Sequence, residues 1–220
     1  MKLKLDLHVH TLRSPDAFTD FPSLVRGVQR RKLDGIAVTD HNLTCPYTSK
    51  DIIIVPGIEI SSSHGHVIGI GSMQPVPRGL SPEDAITVMK EKGYAVVAAH
   101  PFDWFGRGMN PQGLRTRVDA VETINAGSFP FGRSKKLAEK MAANLGLPTV
   151  GGSDSHLPQT IGDAYTEVEV DDTATETIVT AIRRGKTTPK GHPTPIVQRM
   201  RKLAYFLELK PRGRKEILES

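Results

Sequence analysis

With 220 residues, 38% apolar and 24% charged, the chain has the ordinary make-up of a soluble globular protein and enough length for one sizeable core. No apolar run approaches the roughly 18–20 residues that a bilayer-spanning helix takes, which excludes a membrane protein built of such helices. A lone cysteine, Cys45, excludes an intrachain disulfide and fits a reducing compartment. Nothing from Met1 onward reads as a signal peptide, so a cytoplasmic location is expected. The net charge of +5 admits acidic partners. Much of the excess lies in Arg183, Arg184, Lys186 and Lys190, in Arg199, Arg201 and Lys202, and in Lys210, Arg212, Arg214 and Lys215. Such a run is either an attractor of polyphosphate or nucleic acid or a solvated helix face.

In chain order, residues 3–9 alternate as a strand, and Leu24, Val25, Val28 and Leu33 follow at helical spacing over 22–33. Strands are predicted at 35–39, 52–55 and 66–71. Ser81 is an N-cap with Pro82 at the first helical position and acids in the first turn, so a helix runs from there to about Lys92 and stops at Gly93. Strands at 95–99 and 118–124 lead to a helix over about 132–145, closed by Gly146. Two more strands are expected at 148–152 and 165–170, then helices at about 174–184 and 195–208. Strands alternating with helices imply a parallel-rich sheet covered by helices, close to the smallest α/β barrel. The Pro/Gly-rich stretch 185–195 is expected to separate a barrel domain (1–190) from a basic, helical C-terminal extension (191–220).

The histidines and acids fall at strand ends. His8 and His10 are two apart on the first strand and therefore share a face. Asp16 lies in the loop after it. His41 follows the second strand, Glu59 ends the strand running through Pro56 and Gly57, and His66 opens the next. His100 closes the strand 95–99, and Asp154 and His156 follow 148–152. In a parallel α/β sheet such ends gather at one rim. Imidazoles with carboxylates are the ligand set for Zn, Mn or Fe, and nine groups exceed what one ion uses, which argues for a polynuclear site.

At this point the chain resembles the PHP (polymerase and histidinol phosphatase) family. The matching elements are Leu7-His8-Val9-His10-Thr11 with Ser14 and Asp16, Thr39-Asp40-His41-Asn42, Gly57-Ile58-Glu59-Ile60-Ser61, His66-Val67-Ile68-Gly69, His100-Pro101 and Gly152-Ser153-Asp154-Ser155-His156. The resemblance implies a distorted (β/α)7 TIM-like barrel with a C-terminal helix, holding two or three divalent ions and hydrolysing phosphomonoesters or phosphodiesters. By position it puts His8, His10, Glu59 and Asp154 on one ion, and lets Glu59 bridge to a second held by His66 and His100. Asp16, His41 and His156 fall on a third. Glu59, Asp154 and His156 form the expected catalytic set, and a hydroxide bridging two ions the expected nucleophile. A cationic clamp for phosphate is expected from Arg13, Arg107 or Arg133, each equally readable as a solvated arginine. On that expectation, Arg13→Ala or Arg107→Ala lowers turnover more than metal content.

Neighbouring residues carry two readings each. Asp6, Asp40 and Glu122 either orient the ligands or pair with other groups. His64 competes with His66 but sits in an expected turn, His192 reads as a surface loop residue, and Cys45 as a buried thiol or a rim group. Phe102, Trp104 and Phe105 either stack on a nucleobase or pack their own loop. Relatives that act on nucleotides often carry a helical lid between the equivalents of His41 and Glu59. Only seventeen residues intervene here, so an open mouth is expected. The substrate is then a small phosphorylated molecule, with a nucleotide or short RNA end favoured by the basic run and histidinol phosphate also open. Two further readings stand beside a phosphoesterase. One is a C–N hydrolase of the amidohydrolase kind, which usually needs a strand-end lysine that this sequence lacks. The other is a non-catalytic metal-binding module of a nucleic-acid-processing complex.

Overall fold

The computed structural model describes residues 1–105, 108–114 and 117–209. Among them the order is β1 (Lys2–Val9), α1 (Phe21–Arg30), β2 (Gly35–Val38), β3 (Ile53–Ser62), β4 (Gly65–Ile70), α2 (Pro82–Glu91) and β5 (Ala95–Ala98). There follow β6 (Ala120–Asn125), α3 (Phe131–Leu145), β7 (Thr149–Gly152), β8 (Ala164–Glu169), α4 (Thr175–Arg183), β9 (Thr187–Gly191) and α5 (Ile196–Leu209). The helix signals in the sequence act as read. Ser81 Oγ accepts the Asp84 amide at the start of α2, Asp20 does the same for Ser23 in α1, and Gly146 ends α3 in the left-handed conformation at φ 62°.

All the strands join one sheet in the order β7-β6-β5-β4-β3-β2-β1-β8-β9. The sheet curls until its leading strand, β7, meets β1 and β8 near the other end. Val9 bridges Ser155 just past β7, the His10 amide donates to the Ser155 carbonyl at 2.9 Å, and the Gly151 amide donates to Thr166 Oγ1 at 2.8 Å. The result is a nearly closed α/β barrel, distorted from the regular (β/α) pattern, with α5 beyond it. Its interior is filled by Leu3, Leu5 and Leu7 of β1 with Val97, Val150 and Val168, and α4 seals one end through Ile178 and Ile182.

Three features depart from the sequence expectation. The sheet is mixed rather than parallel-rich: β4 runs antiparallel to both β3 and β5, and β8 to both β1 and β9. The short Ser63-His64 turn leaves room only for a hairpin, and hairpins force antiparallel pairing. Within the stretch 185–195, where no strand was expected, residues 187–191 form β9 on the edge of the sheet, where Pro189 costs no ladder bond that a partner strand needs. The alternation of β1 is also broken. Its register with β2 shifts between Asp6 and Val9, so His8 turns into the same interior as Leu7. No helix among the described residues is long and apolar enough to cross a membrane.

Candidate metal centre

Glu59, at the far end of β3 and 1% exposed, sits at the centre of the cluster. Its Oε1 lies 3.4 Å from His8 Nε2, 3.1 Å from His66 Nδ1 and 3.3 Å from His100 Nε2. Its Oε2 lies 3.4 Å from His10 Nε2 and 2.9 Å from His41 Nδ1. Asp154 Oδ1 faces His8 and His10 at 3.4 and 3.3 Å, and His156 at 3.6 Å. Asp16 Oδ2 lies 3.0 Å from His156 Nε2, and Asp16 Oδ1 3.7 Å from His41 Nε2. Side chains spread over almost 150 positions of sequence thus converge at the barrel rim, as strand-end residues of an α/β barrel do.

Second partners fix which nitrogen faces inward in three of the rings, those of His8, His10 and His156. His8 Nδ1 meets the Glu122 carboxylate at 2.9 Å, and His156 Nδ1 meets the Asp154 carbonyl at 2.8 Å. Ser14 Oγ donates to Asp40 Oδ1 at 2.7 Å, so it accepts from His10 Nδ1 at 3.1 Å. Each acceptor draws the ring proton to Nδ1 and leaves the Nε2 lone pair inward. His8 Nε2 and His10 Nε2 then stand 3.1 Å apart, lone pair toward lone pair, with two carboxylates beside them. Buried Asp16 Oδ1, His41 Nδ1 and His100 Nδ1 have no hydrogen-bond partner, although His41 Nδ1 is so close to Glu59.

Such an arrangement needs positive charge among the lone pairs, supplied either by protons or by cations. Burial alone would raise the carboxylates, yet the surrounding imidazoles hold Glu59 and Asp154 well below the usual range. Burial would likewise lower His8 and His100. The carboxylates outweigh it, lifting His8 well above its ordinary value and His100 to about 9. His10 goes the other way, to about 4, through burial and the neighbouring His156 and His41. Four overlapping sets of donor atoms lie within 4.8 Å of one another and could each hold an ion: His8, His10, Glu59; His8, His100, Asp154; His41, Glu59, His66; and His10, His41, His156. The residues present therefore fit a polynuclear divalent centre.

The rim carries backbone strain. His100 and Asp154 have φ of 26° and 53°, in a region that side chains other than glycine rarely adopt. His100 is held there by its amide donating to Glu122 Oε2 at 2.9 Å. Gly152 just before the Asp154 loop has no room for a side chain, since a Cβ would lie 2.4 Å from that of His8.

Residues 132–187 match the family model described as PHP-associated. A solved two-domain protein from Bacteroides vulgatus, described as containing a predicted PHP-like metal-dependent phosphoesterase, superposes with a TM-score of 0.67 at 20% identity. The match covers 87% of this chain and 65% of that one, so this chain spans just under two thirds of its length. The chain therefore carries a PHP-associated segment on a fold shared with PHP-like proteins. Two relatives align over long segments. An uncharacterised protein of Methanocaldococcus jannaschii is 28% identical over 141 residues, covering 56% of this chain and 82% of the relative. A probable phosphatase of Syntrophotalea carbinolica is 24% identical over 204 residues, covering 73% and 83%.

All nine residues expected as ligands come together, grouped differently from the expectation. His41, expected beside Asp16 and His156 alone, also reaches Glu59 and pairs with His66. His64 stays out in its turn on Ser63 Oγ, and His192 is exposed in its loop. Cys45 is buried in an apolar cluster. Asp40 and Glu122 orient His10 and His8, but Asp6 touches neither ring. The β1 register shift moves it off their face, and it accepts the amides of Ser153, Gly162 and His8. Its carboxyl is pushed up to about 7 by burial, against those bonds.

Among the described residues the expected arginine clamp is not assembled. Arg13 donates to the Thr44 carbonyl at 2.8 Å and Arg133 lies over the Trp104 ring at 5.3 Å; neither lines the cavity above the cluster. Each is held by an acceptor nearer in the fold than the rim. Arg107 lies outside the described residues, as do Lys210, Arg212, Arg214 and Lys215 of the basic run. The cations that do line that cavity of about 600 Å³, Arg199 and Lys202, come from α5. In the sequence they were hidden in a charge run whose helix also carries an apolar stripe. Of the aromatic loop, Phe105 lines the cavity and is 82% exposed, beside Phe129 at 5.5 Å, whereas Phe102 packs against the core.

Proposed function

We propose that this chain is a metal-dependent hydrolase of phosphate esters acting on a small phosphorylated substrate. The observation that carries the reading is the inward-facing Nε2 of His8 and His10 beside buried Glu59, and of His156 beside Asp16, each fixed from behind by its own acceptor. His8, His10, His41, His66, His100, His156, Glu59, Asp154 and Asp16 would hold two or three divalent ions, of the Zn, Mn or Fe kind. Bound there, such ions acidify water and neutralise charge on phosphoryl oxygens. Glu122, Ser14 and Asp40 keep His8 and His10 in the ligating tautomer without needing the ion to do so. Asp154, 20% exposed, and His156 line the cavity and are placed to hold or move a proton there. The PHP-like phosphoesterase and the probable phosphatase among similar proteins support the same chemistry.

The mouth is free of a helical lid over residues 43–52, and the cavity above the cluster takes a molecule of metabolite or nucleotide size. A nucleotide or RNA end is therefore sterically open, as is a smaller phosphomonoester. The amidohydrolase reading has less support, because Lys202, the lysine lining the cavity among the described residues, stands on α5 and not at a strand end.

Elemental analysis joined to a phosphate-release screen over nucleotides, sugar phosphates, histidinol phosphate and short RNA tests the proposal, with an amide panel alongside. Stoichiometric Zn, Mn or Fe and phosphate release are expected, with His8→Ala losing most metal and at least about a hundredfold in rate. A loaded protein that cleaves amides and no phosphate ester would sink it.

A further inference from the structure

We propose that Lys202 is the anion-binding residue of this site, reaching from α5 over the cavity to the phosphate group of the substrate. The inference rests on the phosphoester reading above and adds to it the group that recognises the phosphate. A dianionic ester entering a cavity of carboxylates needs a cation on the solvent side as well as ions beneath. Among the described residues Arg199 and Lys202 are the two arginine or lysine side chains that line the cavity.

Arg199 is already engaged. Its guanidinium donates to the carbonyls of Gly127 at 2.7 Å, Ala126 at 2.9 Å, Thr194 at 3.1 Å and Ser128 at 3.2 Å, and so ties α5 to the loop after β6. Five N–H donors in a fixed fork leave little for a ligand once four carbonyls are served. Lys202 is in the opposite condition. Its ammonium has an ion pair with Asp16 Oδ2 at 3.7 Å, beyond hydrogen-bond reach, and the side chain is 39% exposed. A long, rotatable stem with three donors, standing at the edge of the ligand cluster, can turn from Asp16 to an incoming oxyanion without breaking a hydrogen bond. The helix is fixed by Arg199 while Lys202 holds only its long ion pair with Asp16, one turn's worth of division of labour between positions 199 and 202. The Phe18–Tyr205 ring contact, at 5.6 Å between centroids, pins the same helix further along.

The test titrates inorganic phosphate into the full-length, metal-loaded protein by calorimetry, for wild type, Lys202→Gln, Lys202→Arg and Lys135→Gln as a remote charge control. Lys202→Gln should weaken phosphate about tenfold or more, the usual strength of a charge-assisted hydrogen bond. Lys202→Arg should recover most of that, and Lys135→Gln should bind as wild type does. Metal content and melting temperature should stay unchanged in all, because the exposed pair with Asp16 contributes little to stability. With any phosphomonoester that is turned over, KM should rise by a similar factor while kcat stays within about twofold. Equal phosphate binding by Lys202→Gln and wild type would overturn the inference, as would a loss that tracks lost metal, or no phosphate binding by wild type. If phosphate binds through Lys202 but no ester is cleaved, the hydrolase reading fails and the anion site stands.

Discussion

At the scale of single residues, the site depends as much on what stands behind the imidazoles as on the imidazoles themselves. Ser14 links Asp40 to His10, and Glu122 links His8 to the strained His100 amide. Removing either acceptor lets the ring rotate or shift its proton to the inward nitrogen, which opposes cation binding. Ser14→Ala and Glu122→Ala should each weaken divalent-ion affinity about 10- to 100-fold in a competition titration against a chelator, with far-ultraviolet circular dichroism unchanged. Wild-type affinity in both would mean that the rings are held by packing alone. The ligand residues were legible in the sequence because HxH, Asp-His and Ser-Asp-Ser-His each sit at the end of an apolar strand. Ser14 stood within the recognised motif, but its role is a three-dimensional relation between β1 and the loop after β2 that no spacing encodes. The Asp6 assignment failed for a like reason, since strict alternation puts it beside His8 and a register shift does not.

At the scale of elements, helices and most strand positions follow from capping and periodicity, and the misreadings cluster where tertiary context overrides the local pattern. Residues 187–191 carry a proline and two flanking glycines, yet they pair with β8 because an edge strand tolerates what an inner strand does not. In α5 the sequence pattern points to the wrong face altogether. Ile196, Met200, Leu203 and Leu207 form an apolar stripe at helical spacing but are 51–70% exposed, while the polar positions Gln198, Arg199 and Lys202 face the cavity. Polar contacts from Arg199, with the Phe18–Tyr205 ring contact further along, therefore hold this helix in place. Arg199→Ala, which abandons four carbonyls, should raise amide hydrogen exchange across 196–207 while leaving β1, β3 and β5 protected. The expected cost is roughly 1–3 kcal/mol of local stability. Unchanged exchange in the helix would place its anchoring elsewhere, in the Phe18–Tyr205 contact for instance.

At the scale of the whole molecule, the cluster couples the stability of the barrel to pH and to cations, because its ligands join β1, β3, β4 and the loops after β2, β5 and β7. In the cation-free protein His100 is lifted to about 9, the carboxylates of Glu59, Asp154 and Glu122 prevailing over burial, and His8 is raised as well. A group whose folded-state value lies above its unfolded one stabilises fully below the unfolded value, about 6.5 for imidazole, and loses that contribution as pH rises through the folded one. Glu59 and Asp154 are lowered, so their share is present above the ordinary carboxylate range and lost in acid below it. His10, lowered to about 4, contributes above about pH 6.5 and loses that as pH falls, so chelated protein should be most stable near pH 6.5 and weaken toward pH 9. Divalent ions displace the same protons and carry the charge themselves, so loaded protein should hold its stability across that interval and release protons as it loads near neutrality. Melting curves at pH 6 and pH 9, with chelator and with Mn or Zn, read this directly. The chelated midpoint should drop by at least about 3 °C over the interval, corresponding to roughly 1 kcal/mol for a chain of this size, and the loaded midpoint should not. Parallel curves for the two forms would mean that the imidazoles and carboxylates at the rim do not share their protons as the geometry requires, and that the cluster is not the element binding the strands of the rim to one another.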